Sequence, residues 1–152
     1  MAPRVGQPAP PFEARSDDGQ PLSLGALRGQ WIVLTFWPGA QGPACAEAQV
    51  LDRARLELEA LGAVVVAVSR DTEAHLARLR DRCGGLGYPL LPDSGRVVAR
   101  AYGVGRPWLR RETGQTFLID PQGRLAAHWS RAHTTGHLGD VLARLRQKQA
   151  PA

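Results

Sequence analysis

The sequence predicts an α/β fold, a mixed β-sheet flanked by helices, on three observations. Two short runs, Trp31 to Phe36 and Ala63 to Ser69, are apolar and largely β-branched, as strands covered on both faces are. Between and after them, apolar residues recur at steps of three and four, the period of a helix with one buried face. The chain then closes with two further strand-like segments around a turn and a last amphipathic segment, so strands and helices alternate as layered α/β proteins require.

The elements follow in order. Gly6 to Gln30 is rich in proline and glycine and reads as an irregular leader packed on the rest, with a hairpin turn at Asp17-Asp18-Gly19. Trp31 to Phe36 is the first buried strand. From Ala44 to Leu61 one helical face carries Ala44, Ala48, Leu51, Ala54, Leu58 and Leu61, and Gly62 supplies the stop. Ala63 to Ser69 is the second strand. Asp71 is placed to cap a helix with Ala74, Leu76, Ala77 and Leu79 along it, ending near Cys83-Gly84-Gly85. Tyr88 to Asp93 is a short extended piece, Arg96 to Val104 a short helix, and Gln115 to Asp120 a third strand. The turn Asp120-Pro121-Gln122-Gly123 leads to a strand at Leu125 to Trp129. His137 to Gln147 closes the chain as a helix with Leu138, Val141, Leu142 and Leu145 inward. This order resembles that of the thioredoxin-like fold, with an N-terminal extension and an insertion, although the periodicity alone supports only an α/β sandwich.

Length and composition narrow the function. The 152 residues fit a single domain, residues 1–152, large enough to bury roughly 70% of its unfolded surface without a disulfide or metal staple. The formal charge is +5, but 18 arginines and one lysine are scattered among 14 acidic residues, and the aromatic content is 6%. No aromatic residues interleave with a basic run, which argues against nucleic acid as a partner. Prolines break the segment after Met1 where a secretory signal would be apolar, and no apolar run is long enough to span a membrane. A cytoplasmic protein is expected, and its two cysteines are then reactive or incidental rather than a structural bridge.

Cys45 stands out by position. It ends the stretch "PGAQGPAC", directly after the first buried strand and at the start of the long helix. There the unpaired N–H groups and the positive end of the helix dipole favour a thiolate over a thiol, and the thiolate is the nucleophile. Pro43 can occupy the first helical position without losing a hydrogen bond, while Gly39 and Gly42 let backbone N–H groups approach a small bound molecule. The alternative is that Cys45 is a small apolar residue packing the first helical turn.

The segment "TFWPGAQGPACAEAQ" resembles the active-site segment of peroxiredoxins, in which a Pro, three residues, a Thr, two residues and the peroxidatic Cys follow an apolar strand. Pro38 and Cys45 stand at the matching spacing, and Pro43 is similar to the bacterioferritin-comigratory, or peroxiredoxin Q, subfamily. Further similar pieces are "VVVAVSRDTEAHLARL", "YPLLPDSGRVVARAYGV" and "TFLIDPQGRLAAHW". The resemblance implies a thiol peroxidase in which Cys45 is oxidised by hydrogen peroxide or an organic hydroperoxide to a sulfenic acid. It implies substrate binding around Pro38 and Gly42, no cofactor, reduction by a thioredoxin-like protein or a small thiol, and a monomer or weak dimer. The chain departs from the pattern twice: the Thr position is Gly42, and the Arg that precedes the "TFLID"-type strand falls on Gly114, with Arg106, Arg110 and Arg111 nearby. A slow or atypical peroxidase is expected, since one oriented donor is worth about a hundredfold in rate.

The resemblance also offers Cys83 as the resolving cysteine, 38 residues after Cys45, because some members place it in the following helix; Val50 holds the other position used in the subfamily. Pairing requires the two Cα atoms within about 7 Å, which points to local unwinding at Gly84-Gly85. Otherwise Cys83 is a small buried hydrophobe and an external thiol completes the cycle. His133 and His137, four apart in "HTTGH", read as a loop and helix cap rather than metal ligands, with no Cys pair or acidic cluster beside them. Trp37 either walls the cleft or packs the strand end. Beside the peroxidase stand two other possibilities: a thioredoxin-fold thiol sensor, and a binding module in which Cys45 is incidental.

Overall fold

The N-terminal segment is more regular than its proline and glycine content predicts. In a computed structural model, which describes residues 3–37, 45–104, 114–132 and 134–149, β1 (Glu13–Arg15) and β2 (Pro21–Ser23) pair antiparallel, Glu13 opposite Ser23 and Arg15 opposite Pro21. The hairpin closes at the expected turn: Asp18 accepts hydrogen bonds from the Ser16 hydroxyl and the Gln20 N–H, and Gly19 takes φ +82. Ser23 then caps α1 (Leu24–Leu27) by accepting the Ala26 N–H at 3.1 Å.

The remaining elements are β3 (Trp31–Phe36), α2 (Cys45–Ala60), β4 (Ala63–Ser69), α3 (Glu73–Arg82), β5 (Leu90–Pro92), α4 (Val97–Ala101), β6 (Gly114–Ile119), β7 (Leu125–Ala132) and α5 (Thr134–Gln149). Five strands form a mixed sheet in the order β5-β4-β3-β6-β7. β3 runs parallel to β4 and antiparallel to β6, with Leu34 between Val66 and Phe117. The α/β fold and the thioredoxin-like order read from the sequence are those observed.

Strand alternation divides the core. Val33, Val65, Ala67 and Leu118 face a cluster with Ala48, Leu51 and Leu58 of α2, Leu76 and Leu79 of α3, and Val141 and Leu145 of α5. Ile32, Leu34, Phe36, Val66, Val68 and Phe117 face a second cluster with Phe12, Leu22, Val98 and Tyr102. Both faces of β3 are covered, which explains its near-continuous apolar run. Thr35 is buried within that run, and its hydroxyl meets that of Thr116 across the sheet at 3.1 Å.

Three expected boundaries move. Thr72, not Asp71, is the N-cap of α3: its hydroxyl accepts the His75 N–H at 3.2 Å, while the Asp71 carboxylate turns back to the Ser69 hydroxyl at 2.7 Å. α5 begins at Thr134 rather than His137, so His137 lies in its first turn. Thr134, Thr135 and Gly136 are poor helix formers, but the first-turn N–H groups need no partner four residues back, so periodicity alone misses them. β7 runs three residues beyond Trp129, to Ala132, because Gly114 extends β6 opposite it. The turn between them is the expected one, with Asp120 accepting the Gln122 and Arg124 N–H groups at 3.0 and 2.9 Å.

One ion pair ties the hairpin to the helical layer. Arg80 of α3 grips Asp17 in a fork, Nε to Oδ2 at 2.7 Å and Nη2 to Oδ1 at 2.9 Å, and also donates to the carbonyls of Leu86 and Tyr88. The hydrogen bonds to Asp17, then its charge, raise the Arg80 guanidinium further above its usual range. The Asp17 side chain is only 2% exposed, so loss of its partner strands a buried charge. Arg80→Ala is expected to lower stability to denaturant by about 3 kcal/mol, and Arg80→Lys to recover little because an ammonium cannot reproduce the fork. An unchanged unfolding midpoint in Arg80→Ala would show that the pair is not holding the hairpin.

Candidate active site

The site forms where β3 and β4 end and the helices that follow them begin and finish. Parallel pairing of β3 with β4 puts their carboxyl ends side by side, with Phe36 opposite Val68, and the Trp37 N–H continues the ladder to the Val68 carbonyl at 2.9 Å. The chain then reaches α2, whose first residue is Cys45. After β4 it makes α3 and arrives at Cys83, the C-cap of that helix.

Cys45 and Cys83 are joined by a disulfide, with their Cα atoms 5.2 Å apart. Both cysteines of the chain are therefore in one place. The sequence predicts that this pairing needs unwinding at Gly84-Gly85. Instead α3 stays helical to Arg82, and the Cys83 N–H still donates to the Leu79 carbonyl at 3.0 Å. The glycines provide the exit: at φ +79 and +95 they return their N–H groups to the carbonyls of Asp81 and Arg80, turning the chain away directly after Cys83. Cys83 is buried, 4% exposed, whereas Cys45 is half-buried and packs against the same apolar cluster.

Helix α2 holds the Cys83 segment at three levels. Gln49, one turn beyond Cys45, donates from Nε2 to the Cys83 carbonyl at 2.9 Å. Asp52, a further turn on, accepts the Gly87 N–H at 2.6 Å and the Arg55 Nε–H at 2.7 Å. Burial by itself would raise the Asp52 carboxyl, but hydrogen bonds from Arg55 and Gly87 outweigh it and hold the group below the ordinary carboxylate range. Tyr88 donates its hydroxyl to the Ala48 carbonyl at 2.8 Å. Burial, and then the Asp52 charge, push that phenol well above its usual range, so it remains a donor.

Trp37 is 4% exposed and meets Tyr88 edge to face, ring centroids 6.3 Å apart. It thereby packs the end of β3 against Tyr88, whose hydroxyl reaches the first turn of α2. Val50 packs against the core. Pro38 and Gly42 lie outside the described residues, as do Arg106, Arg110, Arg111 and His133. Gly114 is the first residue of β6, so no side chain projects from that position. Among the described residues, no group of three or more His, Cys, Asp or Glu is placed to hold a metal ion, and no helix is long and apolar enough to cross a membrane.

The sequence alone does not single out Gln49, Asp52, Arg55, Gly87 and Tyr88 as residues of the site. Their signal was present in part: Gln49 and Asp52 lie four and seven residues after Cys45, on the same helical face. A polar stripe on a helix ordinarily reads as a solvated face, and nothing local shows that residues 83–88 cover it.

Comparison with known proteins adds a frame to this geometry. The model of the AhpC/TSA family matches residues 5–128. The chain is 33% identical over 153 residues to a putative peroxiredoxin Bcp of Coxiella burnetii, with 95% of this chain and 100% of the relative covered. The crystal structure of the peroxidoxin BcpB of Mycobacterium tuberculosis superposes with a TM-score of 0.83 at 28% identity, covering 97% of this chain and 99% of that one. The bacterioferritin comigratory protein of Xanthomonas campestris, a structure described for alkyl peroxide reduction activity, gives 0.77 at 25% identity over 90% and 91% of the two chains.

The close packing at Gly87 yields a test of the grip. A Cβ added there would lie 2.1 Å from the Arg55 guanidinium carbon, so the flexible arginine must swing off Asp52. Gly87→Ala is expected to cost about 1 kcal/mol in stability, a modest figure because the pair is partly exposed. In an Arg55→Ala background the same change should cost close to nothing, and equal costs in both backgrounds would refute the coupling.

Proposed function

The chain belongs to the AhpC/TSA family, in its peroxiredoxin Bcp branch, and from that premise we propose that Cys45 is the peroxidatic and Cys83 the resolving cysteine of its peroxide-reducing cycle. The observation that carries this assignment is the bond between them, joining the first residue of α2 to the C-cap of α3.

In the cycle, the Cys45 thiolate attacks one oxygen of the peroxide. The O–O bond breaks, the leaving oxygen takes up a proton as water or an alcohol, and Cys45 becomes a sulfenic acid. The Cys83 thiolate then attacks the Cys45 sulfur. The new S–S bond forms as the S–O bond breaks, and hydroxide leaves with a proton as water. A thiol reductant, either a thioredoxin-like protein or a small thiol, returns the disulfide to two thiols. Hydrogen peroxide and organic hydroperoxides are the substrates; the alkyl peroxide activity of the Xanthomonas relative supports including the latter. Pro38 and Gly42 shape the substrate end of the site. The whole chain, residues 1–152, acts as one thioredoxin-like domain, a monomer or weak dimer in the cytoplasm, where a reducing thiol pool sustains the cycle.

The reaction is slow for this family. Gly42 supplies no hydroxyl and Gly114 no guanidinium to the oxygens of the peroxide, and each missing donor removes stabilisation of the charge that develops as the O–O bond breaks.

Stopped-flow peroxide consumption tests this reading. Cys45→Ser should fall to the uncatalysed background, while Cys83→Ser, given one equivalent of peroxide and no reductant, should stop at the sulfenic acid. Gly42→Thr should raise the rate of the first step by up to about a hundredfold. Wild-type consumption no faster than that of a free thiol at the same thiolate fraction would favour a thiol sensor instead.

A further inference from the structure

We propose that Gln49 and Asp52 are positioning residues for the resolving step, holding the backbone on either side of the Cys83 exit turn so that Cys83 captures the Cys45 sulfenic acid before a second peroxide does. The proposal rests on the assignment of Cys45 and Cys83 above. One rigid element carries both the reacting sulfur and its partner's restraints: Cys45, Gln49 and Asp52 follow one another at steps of four and three along a single face of α2. Gln49 grips the Cys83 carbonyl itself, at 2.9 Å, and Asp52 grips the Gly87 N–H four residues on, at 2.6 Å. Arg55 Nε donates to the same carboxylate oxygen, Oδ1, at 2.7 Å. Between the two grips lie Gly84 and Gly85, both at positive φ, so the segment is anchored at each end of its most pliable part.

The chemistry makes that anchoring consequential. The sulfenic acid has two fates. Attack by Cys83 forms the S–S bond, breaks the S–O bond and releases water. Attack on a second peroxide instead transfers another oxygen to Cys45, giving a sulfinic acid and one more molecule of water or alcohol, an outcome that no thiol reverses. The first path is intramolecular, and its rate depends on how well Cys83 is held near Cys45.

Quench-flow oxidation of the full-length protein with hydrogen peroxide, read by mass spectrometry, tests this. The share of Cys45 found as disulfide and as sulfinic acid is followed over time and peroxide concentration. Asp52→Ala is expected to slow the disulfide-forming phase about tenfold, the loss of one hydrogen bond to a charged group. The sulfinic share at low peroxide should rise by a similar factor. Gln49→Ala, a change at an exposed side chain that the fold tolerates, should shift the partition in the same direction by a smaller factor. Asp52→Asn keeps an acceptor for the Gly87 N–H and should restore most of the wild-type partition. A purely structural role would lower the melting temperature without diverting sulfenic acid to sulfinic acid. If both alanine variants close the disulfide at the wild-type rate with the wild-type sulfinic share, the positioning role is wrong. If peroxide leaves Cys45 unmodified in the wild type, the parent assignment fails and this proposal with it.

Discussion

Everything at this site depends on helix α2 gripping the segment that leaves α3. The two helices are delivered to neighbouring places by the parallel pairing of β3 and β4, and the disulfide spans 5.2 Å between the two Cα atoms. The grip holds the backbone around that bond: the carbonyl of Cys83 on Gln49, the N–H of Gly87 on Asp52, and the hydroxyl of Tyr88 on the Ala48 carbonyl. Behind these, Arg80 ties the carbonyls of Leu86 and Tyr88 to α3 and to the buried Asp17. The segment from Cys83 to Tyr88 is thus fixed from two sides, although it contains three glycines and no regular structure of its own.

The energetics divide between apolar layers and this polar frame. Residues such as Leu51, Leu58, Leu76 and Leu79 are almost fully buried, and each contributes roughly 1.5–3 kcal/mol by leaving water. That burial fixes where α2 and α3 lie on the sheet, yet it is non-directional and does not select one arrangement of a glycine-rich connection. Directional contacts make that selection, the Asp52–Arg55 pair partly exposed and the Tyr88 hydroxyl buried. Cys83 is more deeply buried than Cys45, so of the two sulfurs that of Cys45 lies nearer the surface.

The fold was legible in the sequence wherever the signal was periodic. Trp31 to Phe36, Ala63 to Ser69 and the helix from Cys45 carried their period over several residues, and the mixed α/β class followed from the alternation of elements along the chain, while the strand order within the sheet did not. The Asp17-Asp18-Gly19 and Asp120-Pro121-Gln122-Gly123 turns were legible from turn chemistry. What escaped was set by tertiary context: two three-residue strands in a proline-rich leader, a cap shifted from Asp71 to Thr72 because Ser69 claims the aspartate, and a helix start at Thr134. At the site, the position of Cys45 was legible because a cysteine at the mouth of a helix is unusual in itself. Cys83 could be named only as one of two possibilities, since its partner is 38 residues away. Gln49 and Asp52 were hidden, because a polar residue on a helix looks alike whether it faces water or a loop from elsewhere in the chain.

The central claim is that peroxide closes this particular bond during turnover, and the most direct measurement is peptide mapping of the reduced wild-type protein after a single equivalent of hydrogen peroxide, digested without reductant. The predicted result is a cross-linked peptide pair containing Cys45 and Cys83, with both thiols lost together. A free Cys83 thiol beside an oxidised or untouched Cys45 would contradict it.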